Sequence, residues 1–243
     1  MWPFFRPSLA YEQAIYGSFP FWNRGYDVLG RSPLCQTKWL ICMKETCQLL
    51  GERFRDAAPP GGLVSRWLED GTWLLIHPYC SGSDDLGRPD TVAFHGVFLT
   101  PENAKLAQFD PFALAQTFRE DWGPETSSVL SGTITPVRPK SFRGSEDLRV
   151  GPLIEAIRQG QRVLIESIEP IDRLASEVWK ALPRRLRHRR SLATWAYTDT
   201  GVFDLVGLPR LTGIDPSDQR LFVVSASSLE SIVSEGSPPK ATK

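Results

Sequence analysis

Thr72-Trp73-Leu74-Leu75-Ile76-His77-Pro78-Tyr79 and Thr91-Val92-Ala93-Phe94-His95-Gly96-Val97-Phe98-Leu99 decide the fold class. Both runs are almost continuously apolar, the pattern of strands buried in a sheet. The stretch between them, Ser81 to Asp90, is polar and carries Gly82 and Gly87, so it reads as a hairpin connection. Just downstream, Pro101-Glu102 opens a helix, because proline suits a first helical turn, and Asp110-Pro111 restarts it towards Phe118.

Upstream, Glu12-Gln13-Ala14-Ile15-Tyr16-Gly17 leads into a turn from Pro20 to Gly25, and Tyr26-Asp27-Val28-Leu29 leads out, giving two further β-segments. From Trp39 to Phe54 the residues Trp39, Cys42, Met43, Cys47, Leu50 and Phe54 recur at helical spacing. Ala57 to Gly62 then forces a loop. On the far side of the hairpin, Trp122 to Glu146 is rich in Gly, Pro, Ser and Thr without periodicity. A short helix from Gly151 to Gly160, a strand from Gln161 to Ser167 and an amphipathic helix from Pro170 to Leu182 follow. Thr200 to Leu208 and Leu221 to Ser225 close the chain as β-segments. The expected fold is α+β, a mostly antiparallel sheet flanked by helices in one compact unit over 1–233. Any internal boundary falls near 123–147, and 234–243 is a flexible tail.

Composition bounds the function. In 243 residues, Lys+Arg and Asp+Glu balance at 28 each, so no global field favours nucleic acid or an anionic membrane. No apolar run approaches the ~20 residues that span a bilayer. The opening Met1 to Pro7 lacks the basic region and apolar core of a secretory leader, so the four cysteines are expected as free thiols in a reducing cytoplasm. There are 8 Trp and 13 Phe, residues common both in cores and in contact patches.

Few constellations carry chemistry. His77 and Cys80 have an H-x-x-C spacing and His95 lies on the neighbouring strand, but a zinc site needs a second ligand pair. Cys42 and Cys47 point about 140° apart on a helix and do not supply it. No metal and no cofactor is therefore expected. A Cys–His hydrolase built on Cys80, His95 and Asp84 or Asp90 is the enzymatic alternative, yet no helix N-terminus or nucleophile elbow surrounds Cys80. Neither GxxxxGK[ST] nor GxGxxG occurs, which excludes a P-loop nucleotide hydrolase. Arg184-Arg185-Leu186-Arg187-His188-Arg189-Arg190 could hold phosphates, with Trp195 and Tyr197 stacking on bases. The alternative, favoured by the zero net charge, is a helix C-terminus with arginines on its dipole.

Phe19-Pro20-Phe21-Trp22-Asn23-Arg24-Gly25-Tyr26 is an unusual turn. Turns are normally polar, so four aromatics there are either buried under another element or presented to a partner. Phe21, Trp22, Arg24 and Tyr26 are the candidate binding residues.

These segments together resemble a known family. Gln13-Ala14-Ile15-Tyr16-Gly17, Arg24-Gly25-Tyr26 and Val28-Leu29-Gly30-Arg31-Ser32 resemble the opening signature of the bacterial GTPase-associated protein family, N-terminal domain. Val92 to Leu99 is similar to that family's histidine-bearing strand. Leu182-Pro183 with Arg187, Arg190 and Ser191-Leu192-Ala193-Thr194 is similar to its leucine-proline, arginine, serine-threonine segment. The chain departs from the pattern at Gly25-Tyr26, where the family has Gly-His, and its preceding turn is longer and more aromatic. The resemblance implies a non-catalytic cytoplasmic adaptor in bacterial signalling or conflict systems. Its partner would be a protein, a GTPase or a GTPase effector.

Overall fold

The computed structural model describes residues 8–21, 24–51, 61–124, 129, 131–137, 147–188, 190–215 and 217–225. The two apolar runs form β4 (Trp73–Cys80) and β5 (Val92–Leu99), paired antiparallel from Trp73↔Leu99 to Cys80↔Val92. Pro78 lies past the last β3 partner of β4, Ile76, in keeping with the exclusion of proline from doubly paired positions. Around this hairpin stand β1 (Leu9–Gly17), β2 (Asp27–Arg31) and β3 (Val64–Trp67), all antiparallel to their neighbours.

The strands β6 (Gly132–Ile134), β7 (Arg162–Glu166), β8 (Leu192–Ala193), β9 (Leu205–Leu208) and β10 (Leu221–Val224) complete a sheet of 10 strands, ordered β10-β7-β9-β8-β3-β4-β5-β1-β2, with β6 on β1. The sheet is mostly antiparallel, within one compact α+β unit. Only β10, β7, β9 and β8 run parallel to one another, joined by the longer crossovers that parallel pairing requires.

Alternation along the strands divides two faces. Leu74, Ile76, Phe94 and Phe98 face helix α1 (Thr37–Gln48) through Leu40, Met43 and Cys47. Trp73, Leu75, Val97 and Leu99 face the opposite side, covered by α2 (Pro101–Leu106) and a 3-10 turn over Pro111–Thr117. Further along that side, Val163, Ile165 and Leu205 pack under α3 (Val150–Arg158) and α4 (Asp172–Ala181), whose Val178 and Trp179 are fully enclosed. Thr100 and Asp110 cap α2 and the 3-10 turn by accepting from Asn103 N and Phe112 N, the stop and restart that the two prolines announce.

Three differences from the sequence reading bear on the site. Helix α1 ends at Gln48, short of the helical spacing that runs on to Phe54. Leu50 is not helical but still packs into the cluster under α1; its carbonyl accepts from Tyr197 N at 2.7 Å, and Gly51 leaves at φ 79°. Phe54 lies outside the described residues. The aperiodic stretch after Trp122 returns to the sheet, since β6 pairs with Leu9–Tyr11 of β1. Finally, β3 and β8 are present where no element was expected, and the arginine run begins as a short helix of its own, α5 (Arg184–Arg187).

Candidate functional site: an aromatic turn over an open cavity

The early end of α1 leaves one end of its sheet face uncovered. Tyr16 on β1 and Phe94 on β5 lie side by side there, ring centroids 5.9 Å apart and tilted by 22°. Tyr26 joins them at 5.8 Å from Tyr16, and its hydroxyl donates to Val92 O at 2.9 Å. Opposite stand Trp195 and Tyr197, both buried, with rings 6.3 Å apart in an edge-to-face arrangement. Between these walls, the Cys47–Gly51 end of α1 and the β4–β5 loop lies a cavity of about 560 Å³.

The aromatic turn is fastened to the same loop. Asp85 accepts from Ser18 Oγ at 3.1 Å and from Gly25 N at 2.9 Å, so the turn and the β4–β5 loop form one rim. The loop is organised from within by Asp84, which accepts from the backbone N–H groups of Leu86 and Arg88 at 2.9 and 2.8 Å and from the Arg88 guanidinium. Of the turn residues, Phe19 enters a small cluster with Ile15, Leu29 and Tyr79. Phe21 stacks on it at 5.4 Å and remains 40% exposed. Tyr26 is 46% exposed and Arg24 is exposed. Trp22 lies outside the described residues. The turn is therefore divided, with Phe19 in the core and Phe21, Arg24 and Tyr26 at the surface. Burial raises the phenol pKa of Tyr16 and Tyr26 above the usual tyrosine value, so both are neutral hydroxyls at the cavity.

The histidines belong to the other face. His77 and His95 are direct cross-strand partners, while Cys80, three residues along β4, points to the α1 side. Cys80 and His95 are thus on opposite faces of the sheet, a geometry that gives no nucleophile–base contact. His95 is completely enclosed and both ring nitrogens are engaged: Nδ1 accepts from Arg119 N at 3.1 Å, which leaves Nε2–H to donate to Gln13 Oε1 at 2.9 Å. His77 has Gly62 O and Glu120 Oε1 each at 2.8 Å. Of the two aspartates offered as a third member, Asp84 organises its own loop and Asp90 lies on the α1-side cavity. Among the described residues no three His, Cys, Asp or Glu side chains converge as metal ligands.

No family model and no curated protein matches this chain.

The arginine run separates into two roles. Arg187 is buried and donates to the carbonyls of Leu182 at 2.9 Å and Lys180 at 2.7 Å, closing the end of α4. Arg190 pairs with Asp204 at 2.7 Å and donates to Ile157 O at the end of α3. Both serve the C-termini of neighbouring helices, from inside the fold and not from the solvated helix end that the sequence suggested. Arg184 and Arg185 face solvent, and Arg189 lies outside the described residues. Trp195 and Tyr197, which the less favoured nucleic-acid reading placed on bases beside these arginines, are buried at the cavity. The signal that was available is the aromatic Tyr16, one strand turn away from the aromatic loop. Among the described residues no helix is long and apolar enough to cross a membrane.

Proposed function

We propose that the chain is a non-catalytic recognition module that captures a protein partner on the rim formed by Phe21, Arg24 and Tyr26 and by the cavity beneath. The single observation that carries this reading is the presentation of the turn. Two large aromatics stay at the surface although Asp85 fixes the turn at both Ser18 and Gly25. A rim held in this way loses little conformational entropy on binding, and Tyr is among the side chains that most often dominate an interface. The separation of Cys80 from His95, and the use of Arg187 and Arg190 inside the fold, weigh against the hydrolase and nucleic-acid alternatives.

The resemblance of the Gln13–Ser32 segment to GTPase-associated bacterial adaptors supplies the kind of partner: a GTPase or its effector. The four cysteines are unpaired, which agrees with a cytoplasmic location. A photo-crosslinking amino acid at position 21 in living bacteria tests the reading. Crosslinks to one GTPase-domain protein or effector, lost with Tyr26→Ala, are the expected result. Crosslinks that survive Tyr26→Ala unchanged, or none at all, would refute it.

A further inference from the structure

We infer that the cavity beneath Tyr26 holds a small molecule of its own: an uncharged, planar compound of two or three rings with a hydrogen-bond acceptor at its inner end. The inference goes beyond the capture of a protein at the rim and does not depend on it. Size sets the first bound. The cavity of about 560 Å³ falls within the range of about 300–1,000 Å³ typical of small-molecule sites. It is several times the ~150 Å³ that encloses one benzene, so a single ring would leave most of the wall unmet.

Shape and charge narrow the class. Tyr16, Tyr26 and Phe94 form one wall and Trp195 and Tyr197 the other, with Leu50 and Val92 also lining the space. Aromatic walls favour a flat occupant, which stacks on some rings and meets the edges of others. Of the described residues that line the cavity, three are charged, and each is already answered. Asp84 accepts from the Arg88 guanidinium and from the backbone N–H groups of Leu86 and Arg88, and Asp90 is likewise engaged. The Tyr26 hydroxyl is committed to Val92 O. A charged ligand would therefore give up its water without meeting a free opposite charge, which favours an uncharged one.

One polar group at the cavity is left unanswered. Trp195 is 3% exposed, and its indole N–H has no hydrogen-bond partner. Indole nitrogen only donates. Native folds seldom keep a buried donor without an acceptor, because its lost hydration is then uncompensated. A carbonyl oxygen or a ring nitrogen on the inner end of the ligand is the group that answers it, and this selects among flat apolar molecules that would otherwise fit equally well.

The test uses the full chain and three probes of one skeleton: fluorenone, which is neutral and carries a carbonyl, fluorene, which lacks it, and a fluorenone carboxylate. Binding is read from the NMR signal of the Trp195 indole, assigned by its loss in Trp195→Phe. Fluorenone should give a saturable shift with the indole proton moved downfield, at least fivefold tighter than fluorene and at least tenfold tighter than the carboxylate. Trp195→Phe keeps a ring and removes no bond made within the fold, and should bring fluorenone down to the affinity of fluorene, read from the Tyr26 ring signals. Tyr26→Leu, at a half-exposed position, should weaken fluorenone and fluorene alike severalfold.

No saturable shift with fluorenone, or binding untouched by Tyr26→Leu, would overturn the inference. Fluorene binding as tightly as fluorenone would overturn the role of the Trp195 N–H, and the carboxylate binding as tightly would overturn the uncharged class. The peptide Ac-Gly-Gly-Trp-Gly-Gly-NH2 binding more tightly than fluorenone would overturn the small molecule and assign the cavity to a side chain of the protein partner.

Discussion

Mild acid should destabilise this protein through one residue, His95. Its imidazole is fully enclosed, with Phe118 and Trp122 edge-on at 5.5 and 5.0 Å, and only a neutral ring can accept from Arg119 N. Burial first, then the charges of His77 and Arg119, push its pKa down from 6.5 to about 3. Because the folded-state value is the lower one, the unfolded chain takes up the proton first. Stability is then full above about pH 6.5 and is lost progressively as pH falls towards 3. Linkage with these two values gives a loss of about 2 kcal/mol between pH 7 and pH 5. The slope approaches about 1.4 kcal/mol per pH unit below that. The facing charged groups, His77 with Glu120 and Arg119 with Asp121, are unchanged in His95→Gln, whose amide offers an acceptor to Arg119 N and a donor to Gln13 but no titration. Urea unfolding of both proteins from pH 7 to 4.5 provides the assay. The variant should be weaker at pH 7, having lost the ring contacts, but flatter by about 2 kcal/mol on going to pH 5. Parallel curves would refute the assignment of the acid sensitivity to His95.

Two further substitutions test the framework. Gly207→Ala places a Cβ 2.5 Å from Thr194 O and 2.9 Å from Ile171 Cγ1, against backbone that cannot yield, so a loss near the upper end of about 1–3 kcal/mol is expected in denaturant midpoints. Arg187→Met leaves the Lys180 and Leu182 carbonyls without their charged donor and should cost about 2–3 kcal/mol, whereas Arg185→Met should stay within about 0.5 kcal/mol; equal effects would contradict the division of the arginine run.

The parts of the fold legible in the sequence are those whose burial writes a continuous pattern. The runs Trp73–Cys80 and Val92–Leu99 are covered on both faces, so nearly every position is apolar. Helix α4 shows its stripe because Leu174, Val178 and Trp179 all meet one cluster. Strands of two to four residues, such as β8 and β3, are too short to show a period, and Arg66 in β3 interrupts even that. Leu50 misled the reading of α1 for a different reason. It continues the helical spacing and packs in the same cluster, but its backbone has left the helix and its carbonyl bonds Tyr197 N, a partner that local periodicity cannot reveal. The aromatic turn was legible as an anomaly. Its setting was not, because Trp195 and Tyr197 reach it only through the tertiary path of the chain after β8.

The two faces of the central hairpin differ in what they leave open, and the proposed recognition rests on this difference. On the His77–His95 side the segment Arg119–Trp122 closes over the sheet, with Arg119 N on His95, Glu120 on His77 and the Trp122 indole donating to Arg119 O at 2.9 Å. The residues with the most familiar catalytic chemistry are thereby committed to holding one segment in place. On the α1 side the residues with the least reactive side chains, tyrosines, a phenylalanine and a tryptophan, are left around an open volume because the helix stops at Gln48. Apolar surface left open at a rim fixed by Asp85 carries a hydration cost that a bound partner would relieve. What this face offers is an aromatic surface of fixed shape, and the proposed capture of a partner draws on that surface.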